Sequence, residues 1–128
     1  MRAAIFEETG RPLSVVTVED PRPAPDQVVI EVAHCGICGS DLHVTQQGLV
    51  PPGTILGHEF AGTIVETGRE VGGDWRVGDR VTALPIQACR SCEPCVLGLP
   101  GLCGSVLFTG TTLESPGAYA QYVRARGT

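Results

Sequence analysis

Four cysteines at 89, 92, 95 and 103 follow the spacing C-x2-C-x2-C-x7-C. Nothing else in the chain restricts its folding so tightly, because four thiolates this close in sequence can close a tetrahedral zinc shell without outside help. Each Cys-x2-Cys step sets two sulfurs on one side of a tight turn. A loop rich in glycine and proline (Gly98, Pro100, Gly101) then returns Cys103 to them. Two disulfides are the competing arrangement, since an even cysteine count in a short chain permits it. Clustered Cys-x2-Cys pairs are poor partners for one another, however, and the array follows no secretory segment. The spacing therefore predicts a closed metal lobe over about residues 86–104, with Cys89, Cys92, Cys95 and Cys103 as ligands.

The chain length of 128 residues suits one domain with a modest core. Gly (17) and Pro (10) are abundant, which favours short strands and many turns over long helices. The net charge of -5, with no basic run, argues against a surface that tracks phosphates, so nucleic acid is not an expected partner. The start, Met1 to Glu8, turns acidic too early for a signal sequence, and no apolar stretch is long enough to span a bilayer. No membrane partner is expected, and a reducing cytoplasm fits cysteines that serve as ligands or free thiols.

Strands are expected over 3–6 and 13–18, joined through Thr9-Gly10-Arg11-Pro12, and over 27–33, 59–67, 80–84 and 118–123. Pro21, Pro23 and Pro25 form a stiff connector. A single short helix is expected over 40–47, capped by Ser40 or Asp41 and stopped by Gly48. Helical periodicity is never sustained for long, so the expected class is mainly β, a barrel or sandwich.

Upstream of the array, Cys35-Gly36-Ile37-Cys38-Gly39-Ser40-Asp41-Leu42-His43 precedes Gly57-His58-Glu59. Cys38 and His58 offer a soft sulfur and an imidazole, both common zinc ligands. Two ligands alone are a weak metal signal. Cys35 and Cys38 also fit a redox pair, although the βαβ context usual for one is missing. His58 beside a buried strand equally suits a core histidine. Gly57, Gly62 and Gly68 mark places of close backbone approach or positive φ.

Taken together, these residues resemble a family. Gly57-His58-Glu59-x2-Gly62-x5-Gly68-x2-Val71 is similar to the signature of zinc-containing alcohol dehydrogenases of the medium-chain dehydrogenase/reductase superfamily. Cys38 to His43, Val77-Gly78-Asp79-Arg80-Val81 and Gly117 to Val123 resemble further motifs of that family in the same order, and the cysteine array resembles its structural zinc lobe. The resemblance implies a GroES-like irregular β-barrel over 1–128, with a short helix and a zinc-binding loop lobe, as the catalytic domain of a two-domain enzyme. It implies catalytic-zinc ligands at Cys38 and His58, with Glu59 beside the metal as occasional ligand or outer carboxylate. Asp41 resembles the residue that orients the zinc-bound histidine. Ser40 is implied to take the proton of the bound alcohol and pass it to His43, with hydride leaving to NAD(P).

Some features depart from the family. No G-x-G-x-x-G followed by an acidic residue occurs in these 128 residues, so no dinucleotide-binding residues are assigned and NAD(P) is expected only in a full-length enzyme. The Rossmann domain and a third protein ligand for the catalytic zinc are expected beyond residue 128. Gly39 stands where some relatives place Arg or His against the cofactor. The expected function is that of an amino-terminal segment of a zinc-dependent, NAD(P)-linked alcohol or polyol dehydrogenase. Alone it would bind zinc at the complete structural site, hold an incomplete catalytic site and lack turnover. Self-association through a face left bare is also expected. The alternative is a stand-alone zinc-binding or interaction module that has lost the chemistry, and a chaperonin-like structural role rests only on barrel shape. Phe60 and Phe108 are expected in the core, Cys35 as a small buried hydrophobe, Trp75 as a loop anchor or pocket wall, and Asp79 as a turn residue.

Overall fold

The longest strands form where β-branched residues are densest, in QVVIEVAHCG and EFAGTIVET. In the computed structural model, which describes residues 1–127, the order is β1 (Arg2–Ile5), β2 (Ser14–Thr17), β3 (Gln27–Gly36), α1 (Gly39–Gln47), β4 (Glu59–Thr67) and β5 (Arg80–Thr82), then β6 (Ile86–Gln87), α2 (Glu93–Val96), β7 (Leu107–Phe108) and β8 (Tyr122–Arg126). One antiparallel sheet has the strand order β5-β4-β3-β8, and the β1-β2 and β6-β7 ribbons stand beside it. Bridges between Ala3 and Ala120 and between Ile5 and Ile55 tie β1 to the connecting segments. The expected mainly β class holds.

β4 alternates cleanly, burying Phe60, Gly62 and Ile64 while its intervening residues face outward or lie part-buried. β3 does not alternate. Val28, Val29 and Ile30 are buried in succession: Val28 and Ile30 join the main core, and Val29 between them is covered as well. The register against β4 shifts between Val29 and Ile30, where β4 carries the extra residue, Val65. A second shift between Val32 and His34 lets β3 run on to Gly36, past the expected end at 33. The main core joins Val28 and Ile30 to Phe60, Ile64, Ala118 and Val123, while Phe6, Val50 and Leu56 form a smaller cluster.

Further expectations change. A second short helix, α2, stands besides the single one expected, in the cysteine lobe. The last strand runs over Tyr122–Arg126 rather than 118–123, because the backbone of 118–119 is engaged elsewhere: Ala118 donates to Gly57 O (2.8 Å), Tyr119 to Leu56 O (2.9 Å), and Ala4 to Tyr119 O (2.7 Å). The strand at 80 ends at Thr82 instead of 84. Phe108 is 46 % exposed at the edge of the β6-β7 ribbon, whereas Phe60 is buried as expected. Asp79 is a turn residue, accepting the Arg76 N–H at 2.8 Å. Trp75, partly exposed, walls a pocket shared with Val81, Leu84 and Arg90.

Gly62 sits where strands leave no room: a Cβ there would lie 2.0 Å from Glu31 O, a backbone atom that cannot swing aside. Gly62→Ala should lower stability by about 2–3 kcal/mol, read from the urea midpoint. Gly39→Ala, with nothing within 4 Å of the new Cβ, should stay within about 0.5 kcal/mol of the parent.

Candidate metal centres

The β6-β7 ribbon, pairing Ile86 with Phe108 and Gln87 with Leu107, holds the neck of the cysteine lobe. Arg126 reinforces it by donating from its guanidinium to Ala88 O, and Gln87 Nε2 donates to Thr109 and Ser115 hydroxyls at 3.0 Å each. Arg90 adopts φ 63, a left-handed value uncommon for a residue with a Cβ, between the first two cysteines. The turn there brings the Cys92 N–H onto Cys89 Sγ at 3.4 Å. Cys92 then caps α2, whose first turn carries Cys95 back so that the two sulfurs stand 3.4 Å apart. A 3-10 turn over Pro100–Leu102 delivers buried Cys103, whose Sγ accepts the Cys89 N–H at 3.3 Å.

All four sulfurs lie within 4.8 Å of one another. A tetrahedral zinc–thiolate shell has sulfur–sulfur edges of about 3.8 Å, whereas a disulfide needs about 2.05 Å. The 3.4 Å and 4.0 Å separations of Cys95 from Cys92 and Cys89 therefore suit a shared metal and not a bridge. Donated N–H groups add to the fit, because they stabilise negative charge on sulfur. The Ser91 backbone and side chain, then those of Cys92, draw the Cys89 thiol down to about 5. Burial, with hydrogen bonding to Cys92, pushes Cys95 up to about 12.

The second cluster depends on the extended β3. Because Cys35 pairs with Phe60 and Gly36 with Glu59, the end of β3 and the start of β4 lie side by side. Cys38, two residues beyond β3, thereby meets His58 and Glu59, and their donor atoms all fall within 4.8 Å of one another. Gly57, at φ 92, makes the turn into β4; a Cβ there would strike the Tyr119 ring at 2.6 Å and Cys35 Sγ at 2.9 Å. Cys35 is part-buried against the core as expected, and burial raises its thiol pKa.

Neither Ser40 nor Asp41 caps α1. Cys38 is the cap, in extended conformation, and Asp41 three residues on reaches back to accept its N–H at 2.9 Å. Gly48 ends the helix at φ 65, as expected. Asp41 is buried, and its Oδ1 faces His58 Nδ1 at 3.5 Å. That contact ties the Nδ1 edge of the His58 ring to Asp41. Ser40 and His43, both exposed, stand three apart on α1 and so share one of its faces. His43 is not among the donors gathered with Cys38, His58 and Glu59. Sequence reasoning passed over Tyr119, whose hydroxyl donates to Asp41 Oδ2 at 2.8 Å. The motif containing it had been singled out, but nothing local shows that its ring reaches α1.

A family model described as the alcohol dehydrogenase GroES-like domain matches residues 24–128. The chain is 35 % identical over 128 residues to L-threonine 3-dehydrogenase of Xanthomonas oryzae pv. oryzae, covering 96 % of this chain and 37 % of that protein. It is 40 % identical over 131 residues to sorbitol dehydrogenase of Bacillus subtilis, covering 98 % and 36 %. Among solved structures, the cobalt- and zinc-bound thermostable alcohol dehydrogenase of Pyrobaculum aerophilum superposes with a TM-score of 0.86 at 33 % identity, over 98 % of this chain and 39 % of that one. The chain therefore spans little more than a third of the length of these relatives.

Zinc taken up at the lobe must displace protons, so loading should release acid, and affinity should fall as pH drops. Because the Cys89 pKa is depressed, its thiolate persists below the ordinary thiol range and is lost only as pH falls through about 5. Zinc should resist chelation at pH 8 and leave on acidification through that range, with elemental analysis after gel filtration as the measurement. Cys103→Ser should abolish chelator-resistant zinc at every pH.

Proposed function

Starting from a chain that belongs to the zinc-containing alcohol dehydrogenase family, on its GroES-like domain, we propose that it provides the metal-binding catalytic unit of an NAD(P)-linked alcohol or polyol dehydrogenase. The observation that carries this reading is the convergence of Cys38, His58 and Glu59 donor atoms within 4.8 Å, with buried Asp41 behind the histidine.

In this reading Cys38 and His58 hold a zinc ion, with Glu59 as a third donor or as the carboxylate beside it. Zinc bound there supplies Lewis acidity toward an alcohol oxygen. Asp41 holds the His58 ring in place through Nδ1. Ser40, two residues after Cys38 on the first turn of α1, takes the substrate proton, and exposed His43, one helical turn further, passes it to solvent. The lobe at Cys89, Cys92, Cys95 and Cys103 offers four protein ligands and no open position, which suits a structural metal.

The relatives named for L-threonine and sorbitol point to small hydroxylated substrates. NAD(P) binding is assigned outside these 128 residues, so turnover by this chain alone is not expected. The proposed compartment is the cytoplasm, and among the described residues no helix is long and apolar enough to cross a membrane. Exposed Val96, Leu97, Leu99 and Leu102 on the lobe support self-association.

Loaded with excess zinc, the protein should hold one chelator-resistant ion at the four cysteines and a second, more readily removed, at Cys38, His58 and Glu59. His58→Ala or Cys38→Ser should remove one and keep the ion of the lobe; loss of neither, or of both together, would count against the assignment. NAD(P)-dependent alcohol oxidation by the 128-residue chain would refute its inactivity.

A further inference from the structure

Asp41 is a carboxylate that is 5 % exposed, and a buried charge of this kind persists only with donors on its oxygens. Its Oδ2 receives two: the Cys38 backbone N–H at 2.9 Å and the Tyr119 hydroxyl at 2.8 Å. Gly36 O, at 3.3 Å, is the weaker acceptor for the same hydroxyl, because a carboxylate attracts the single phenolic proton more strongly. With Oδ2 engaged by both donors, Oδ1 is left directed at His58 Nδ1, 3.5 Å away.

The three contacts come from parts of the chain far apart in sequence. Cys38 precedes α1, His58 precedes β4, and Tyr119 lies in the segment leading to β8. The Tyr119 ring is itself fixed, since it fills the space beside Gly57 that any Cβ would need. We infer that Tyr119 is a positioning residue for the metal centre at Cys38, His58 and Glu59, acting through Asp41 to hold the His58 ring in its ligating orientation. Its effect passes through one hydrogen bond to the carboxylate. This inference rests on the proposed role of those three residues as ligands.

The experiment removes cobalt from the Co2+-loaded protein with a chromogenic chelator, following the visible spectrum of each site. Tyr119→Phe keeps the ring over Gly57 and deletes only the hydroxyl. It should weaken the second site on the order of three- to tenfold and leave the four-cysteine site unchanged. Asp41→Asn keeps an acceptor for the Cys38 N–H but offers no second carboxylate oxygen to Nδ1, and should weaken the second site by roughly 10- to 100-fold. The double variant should match Asp41→Asn, because the hydroxyl acts only through the carboxylate. Unchanged affinity in Tyr119→Phe, additive losses in the double variant, or equal weakening of both sites would each overturn the inference while leaving the ligand assignment standing. A parent protein that holds Co2+ only at the four-cysteine site would overturn both.

Discussion

The pairing of β3 with β4, continued through two register shifts until Gly36 lies opposite Glu59, is the constraint on which the rest of the molecule depends. The first shift, with Val65 as the extra residue of β4, sets Ile30 opposite Ile64 so that both join the main core. The second extends β3 beyond its apolar run and delivers Cys35 to Cys38 to the start of β4. Gly62 permits the strands to approach this closely, since only hydrogen fits against Glu31 O. Core and candidate site are therefore products of one ladder.

The two metal centres differ in how they are assembled. The cysteine lobe is local: a left-handed residue, a single helical turn and a 3-10 turn gather four sulfurs from one stretch of chain. Its loop-closure cost is small, and its neck needs only a two-residue ribbon and the Arg126 link to β8. The centre at Cys38, His58 and Glu59 instead draws on both long strands and the start of α1. Its buried Asp41 is tolerated because the Tyr119 hydroxyl and the Cys38 N–H satisfy it and the imidazole lies opposite. Such a network stays in place only while the surrounding elements hold their positions.

Much of this was legible in residue types and spacing. The lobe could be read because its ligands are neighbours, and β4 because its alternation is regular. The β3 extension was not legible, since a bulge is a property of the partner strand as much as of the strand itself. The end strand was misplaced because 118–121 keeps an apolar pattern while its hydrogen bonds go to Leu56, Gly57 and β1. The cap of α1 was assigned to the usual residue types, yet Asp41 bonds backward and leaves a cysteine at the cap position. Phe108 looked like core by chemistry alone and stands exposed because its ribbon is an edge.

By itself, then, the sequence determined the mainly β class, the four-sulfur array and the resemblance carried by Cys38, His58 and Glu59, because spacing and residue chemistry act over a few positions. Tertiary structure decided what faces what. It placed Asp41 behind His58, brought Tyr119 onto Asp41 across 78 residues of chain, and carried Cys38 to the start of β4. Those contacts depend on strand register and on which space glycine leaves open, and both arise only when distant segments pack together.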